Sequence, residues 1–106
     1  MINHLNEFLA KAQEKVTADY LAWNKDATAD HISTYTPKLS LMNGKRYVRI
    51  VSESGPGSRS AFGFIDTTNG DILYAAGWKG PAKNFARGNI SDHQNGTGRI
   101  RWTGVF

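Results

Sequence analysis

The chain has 106 residues, enough for one modest core and not for two, and its 40% hydrophobic, 21% charged and 11% aromatic content is that of a globular domain and not of a disordered chain. With no cysteine it has no disulfide framework, thiol nucleophile or thiolate metal site, which fits a reducing compartment. The formal net charge of +4 is uneven: residues 1–36 set Lys11, Lys15 and Lys25 against Glu7, Glu14, Asp19, Asp26 and Asp30, a net of −2, so the remaining 70 residues carry +6 and favour an anionic partner.

Leu5, Phe8, Leu9, Ala12, Val16 and Tyr20 recur at steps of three and four, with Lys11, Glu14, Lys15 and Asp19 between them. This pattern predicts an amphipathic helix over about residues 3–24. Its polar face is mixed in sign, which suits docking on the rest of the domain and not a membrane surface. The N-terminus has no basic leader followed by an apolar block, and no stretch approaches the ~18 apolar residues of a membrane span, so a soluble cytoplasmic protein without membrane contact is expected. Asn89-Ile90-Ser91 and Asn95-Gly96-Thr97 match the glycosylation acceptor pattern, which has no meaning without export. Residues 25–37, short, polar and ending in Pro37, read as a connector inside a single domain spanning 1–106.

From Lys38 the period shortens to two and glycines punctuate the chain. A short strand is expected at 39–42 and a β-branched one at 45–54, bounded by Asn43-Gly44 and by Gly55-Pro56-Gly57. A third at 59–66 would place Phe62 and Phe64 on one face, and a fourth at 71–78 would do the same for Ile72, Tyr74 and Trp78. Asn69-Gly70 suits the positive φ angles of a type I′ hairpin between these two. A last strand over 99–106 would set Ile100, Trp102 and Phe106 opposite Arg99 and Arg101. Gly63 and Gly77 fall where strands could bend. The fold class is therefore mainly β with an N-terminal helix: a strongly bent five-stranded antiparallel sheet or small open barrel, the helix covering one opening. Its edges are either protected or used for assembly.

No catalytic or metal-binding pattern emerges. His4, His31 and His93 share no helical spacing and no acidic partner, and Ser91, Asp92 and His93 are adjacent, where side chains diverge instead of forming a relay. "GPGSRS" lacks the third glycine of a dinucleotide fingerprint, and "NGKRY" lacks the glycine and the hydroxyl residue of a phosphate loop. A protein without enzymatic activity or cofactor is expected. The stretch Gly77–Gly98 has a different character, setting Trp78, Lys79, Lys83, Phe85 and Arg87 within a few residues. Cations that hold phosphates beside aromatic faces that stack bases suit single-stranded nucleic acid, each stacked base contributing about 1–3 kcal/mol. A long exposed connection whose two aromatics cover the barrel is the other reading.

"SRSAFGFIDTTNGDIL" followed by "GWKGPAKNFARGNI", residues 58–90, resembles a group of small Sm-like proteins of marine-phage (cyanophage) origin. That resemblance implies a helix, five bent antiparallel strands and subunits joined edge to edge in a ring, and it implies binding of single-stranded RNA. Asp66 and Asn69 are similar to the Asp and Asn of the first Sm motif, and Arg87-Gly88 to the Arg-Gly of the second. The Asp66–Asn69 spacing is one residue short of that pattern, and Pro81 interrupts the strand expected before Arg87. The expectation is thus a homo-oligomeric ring of roughly five to seven subunits that binds single-stranded RNA or DNA. Asp66, Asn69, Arg87 and Gly88 would form its pocket, flanked by Trp78, Lys79, Lys83 and Phe85. A phage protein-interaction or assembly module is the alternative.

Overall fold

The computed structural model describes residues 5–26, 28–55, 57–82, 86–92 and 94–106, with backbone only at 31, 33 and 34. The expected start of the first helix at residue 3, and His4 and His93, lie outside the described residues. Helix α1 spans Leu5–Trp23 and buries Phe8, Ala12, Val16 and Tyr20, one residue per turn of its apolar stripe. That stripe packs on strand β1 (Lys38–Asn43) and on β6 (Ile100–Arg101). Phe8 is fully buried, and truncating such a ring to alanine costs about 3–5 kcal/mol. Three polar residues fasten the helix to three segments. Gln13 donates to the Pro37 carbonyl at 2.9 Å and accepts from the Leu39 N–H at 2.7 Å, Lys15 donates to the Thr97 carbonyl at 2.7 Å, and Asp19 accepts the Trp102 N–H at 2.9 Å. Among the described residues no helix is long and apolar enough to cross a membrane.

The connector expected at 25–37 contains a second helix, α2, at Ala29–Tyr35. Its first intrahelical bond runs from the Ile32 N–H to the Thr28 carbonyl, and Asp30 sits in the first turn, where a negative charge is favoured. Thr28 and Asp30 are helix-start residues as well as loop residues, so short polar composition alone could not distinguish the two.

Strands β1, β2 (Tyr47–Glu53), β3 (Arg59–Asp66), β4 (Asp71–Leu73) and β5 (Gly88–Asn89) form one antiparallel sheet in sequence order. The sheet is open, with β1 and β5 at its edges, and does not close into a barrel. The strand expected over 71–78 stops at Leu73, and residues 74–82 turn back as a small hairpin held by an Ala75–Pro81 bridge and an Ala82 N–H to Tyr74 carbonyl bond of 2.8 Å. Ile72 enters the core while Tyr74 and Trp78 stay partly exposed, so these three do not share a buried face. Nor is 99–106 one strand. It is a tight hairpin of β6 and β7 (Gly104–Val105), with Ile100 opposite Val105. Gly63 lets that hairpin approach β3, because a Cβ there would lie 2.8 Å from Val105 Cγ2. Gly77 lies in the turn of the 74–82 hairpin, where its N–H bonds to the Gly80 carbonyl.

One irregularity governs which side chains share a face. The β2–β3 register pairs Ile50 with Gly63 but Val51 with Ala61, so Phe62 is an extra residue, a β-bulge. Phe62 joins the core with Val48, Ile50 and Ile65, whereas Phe64, across from Arg49, lies on the other side against Tyr47. The expectation that Phe62 and Phe64 share a face therefore fails.

The β3–β4 connection is longer than a two-residue turn. The Gly70 N–H reaches the Asp66 carbonyl at 2.7 Å, and of the pair Asn69-Gly70 only the glycine has positive φ, 84°. A Cβ at Gly70 would also lie 2.8 Å from Ile90 Cγ2. Gly70→Val combines left-handed strain with a clash and is expected to destabilise the fold by about 2 kcal/mol or more, measured as the shift in the urea midpoint.

Candidate nucleic-acid interface

Strand β2 alternates, so Val48 and Ile50 enter the core while Tyr47 and Arg49 turn to the opposite face. On that face Arg49 has Met42 of β1 on one side and Phe64 of β3 on the other. The bulge at Phe62 resets the parity of β3, and Arg59, five residues before Phe64, comes to the same face. The tip of the 74–82 hairpin then folds over these side chains. Arg49 Nε donates to the Trp78 carbonyl at 2.7 Å, and its guanidinium lies 4.5 Å from the Trp78 ring centre and 5.8 Å from that of Phe64. Arg59 lies 5.7 Å from the same Trp78 ring and directs Nη2 at Met42 Sδ, 3.4 Å away. Arg46 stands 5.3 Å over Tyr47.

Beside this array is a cavity of about 240 Å³ whose lining includes Asn43, Lys45, Arg46, Tyr47, Arg49, Phe64 and Lys79. Arg49 and Arg59 on the strands, Lys45 and Arg46 in the β1–β2 turn and Lys79 at the hairpin tip give the groove five cations, and Glu53 pairs across from Arg59. Among the described residues only Arg46 meets a carboxylate, that of Asp66 at 3.2 Å. A larger cavity of about 420 Å³, between α1 and the β6–β7 hairpin, is lined by Asp19, Trp23, Arg101, Trp102 and Thr103. It mixes both signs of charge and lacks this excess.

The residues singled out from the sequence divide into four sets. Trp78 and Lys79 belong to the groove. Asp66 and Asn69 flank the β3–β4 connection, and the segment after Gly88 reaches it, with Asn89 Nδ2 donating to the Asn69 carbonyl at 2.8 Å and the Ile90 N–H to the Gly70 carbonyl at 2.8 Å. Their polar groups serve the fold. Asp66 accepts from the Thr68 hydroxyl and N–H and from Arg46, Asn69 Oδ1 accepts the Asp71 N–H, and Gly88 pairs with Ile72. Arg87 turns toward the chain end, 5.1 Å from the Tyr74 ring and 3.4 Å from the Phe106 carbonyl. Lys83 and Phe85 lie outside the described residues. The sequence reading missed Met42, Lys45, Arg46, Tyr47, Arg49, Arg59 and Phe64. One signal was available: in "GKRYVRI", Lys45, Tyr47 and Arg49 alternate at the strand period, which interleaves cations with an aromatic on one face.

Asp66 is buried, which alone would push its carboxyl up, but the Thr68 hydroxyl and N–H and the Arg46 guanidinium outweigh burial and hold it below the usual range. A carboxyl depressed in the folded state contributes stability that is complete above its unfolded pKa, about 3.9, and is lost as pH falls from there through the folded value. Asp66→Asn is expected to lower stability at pH 7 by about 1–2 kcal/mol. It should also flatten the loss of stability below about pH 4, as read from urea titrations across pH.

No curated protein and no solved structure matches the chain. A model for a family of unknown function, DUF7717, matches residues 2–106, and the chain belongs to that family.

Proposed function

We propose that the protein binds single-stranded nucleic acid, RNA or DNA, without catalysis, and that the groove of Arg46, Arg49, Arg59 and Lys79 is where the strand lies. The observation that carries this reading is five cations in and around the groove, of which, among the described residues, only Arg46 is within ion-pair distance of a carboxylate, with three arginine–ring contacts converging on Arg49 and Trp78. Such a face attracts phosphates and releases counterions on binding. The site moves from the Asp66–Asn69–Arg87–Gly88 pocket to the groove because that pocket's side chains already serve the fold. The Sm-like resemblance supports the same ligand class and supports a ring of roughly five to seven copies joined through sheet edges. On β1, Gln13 occupies Leu39, and by antiparallel alternation Leu41 and Asn43 present their main-chain groups along the same edge.

Arg49→Ala with Lys79→Ala is expected to weaken binding of a labelled oligonucleotide at least tenfold at low salt. It should also flatten the dependence of log affinity on log salt by about 0.7 per lost phosphate contact. Unchanged affinity and slope in a folded variant would remove the groove from the proposal. Wild-type protein with no affinity for any single strand at low salt would favour the protein-interaction alternative. Native mass measurement of the assembly tests the ring separately, and a monomer at micromolar concentration would refute it without touching the binding site.

A further inference from the structure

The groove holds three aromatic rings, and each already has an arginine against it. Arg46 lies 5.3 Å from the Tyr47 ring centre, Arg49 lies 5.8 Å from Phe64 and 4.5 Å from Trp78, and Arg59 lies 5.7 Å from Trp78. Tyr47 and Phe64 further occupy each other edge to face, with ring centres 6.4 Å apart. The geometry differs from a stacking platform, which offers a bare ring face to a base. Arg49 is the most constrained of the cations. Its Nε is committed to the Trp78 carbonyl at 2.7 Å and its guanidinium lies beside Trp78 and Phe64, while among the described residues its Nη1 has only the weak sulfur acceptor of Met42 at 3.8 Å. A guanidinium fixed in this way, with terminal N–H groups left to donate, has the fork geometry that fits a phosphate.

Resting on the reading of the groove as a nucleic-acid site, we infer that the ligand is recognised through its phosphodiester backbone and not through its bases, and that Trp78 is a positioning residue for Arg49 and Arg59. Phosphates then bond to Arg49, Arg59, Lys45 and Lys79, and the bases point to solvent. Binding is indifferent to base identity, and a strand lacking bases retains it.

The test compares a base-containing oligodeoxynucleotide with an abasic strand of equal length and charge, each also made with a ribose backbone, against wild-type protein and a folded Trp78→Leu variant. The base-containing and abasic strands are expected to bind within threefold of each other, and Trp78→Leu is expected to weaken both by the same factor, because it releases the arginines that both strands use. The DNA and RNA arms identify which backbone is the better ligand. A single stacked base would be worth about fivefold or more. Abasic affinity at least tenfold lower, or a Trp78→Leu loss confined to the base-containing strand, would overturn the inference while leaving nucleic-acid binding in place. Failure of wild-type protein to bind any of the four strands would instead overturn the function on which it rests.

Discussion

A single extra residue in β3 decides what the two faces of this sheet become. In a regular strand Arg59 and Phe64, an odd number of residues apart, would point to opposite sides. Phe62, bulged against the Ile50–Val51 step, takes up the odd position and enters the core, so that Arg59 and Phe64 both lie on the far face with Arg49. Core and groove are thereby coupled: the ring that fills space beneath α1 also sets the register of the cations above it. Deleting Phe62 would leave Arg59, Ala61 and Phe64 on the same face by plain alternation but would remove a ring from the core.

The sequence was legible where one period ran long. The apolar stripe of α1 and the span of β3 could be read directly, because burial of one face leaves a repeating signal over many residues. It was illegible where the structure turns on two or three residues. Helix α2 has only seven residues, the terminal hairpin has two-residue strands, and the strand after Ile72 ends early because residues 74–82 bond to each other and not to the sheet. The bulge is the clearest case, since alternation gave Phe62 and Phe64 one shared face, and Gly63 marks a bend beside the inserted position without saying which residue is extra. The site suffered similarly. Trp78 and Lys79 stood out because they are neighbours in the chain, while Arg49 and Arg59 reach Trp78 only through strand pairing and the fold of the 74–82 hairpin.

The two charged ends of the chain also find different uses in the fold. The first helix, in the acidic early part of the chain, spends Asp19 on the Trp102 N–H and applies Lys15 to Thr97, so these charges act as fasteners. Five of the ten basic residues of the later chain gather around the groove, where Asp66 holds Arg46 and Glu53 lies across from Arg59. Mutual repulsion there is a cost to folding, offset in part by ring contacts that accept a guanidinium without neutralising it. A counter-anion bound at this face would relieve the remaining repulsion, so that occupancy and stability would rise together.

The clamp that Gln13 places on the first residues of β1 affects the way the chain comes apart. Docked, the helix does two jobs at once: it covers the apolar side of the sheet and satisfies main-chain groups at the Pro37–Leu39 end of its border. Undocking therefore uncovers a sticky surface and, at the same moment, an unpaired template for strand addition. A partly unfolded species that has lost the helix would expose both at once, so self-association on heating is expected to grow with protein concentration.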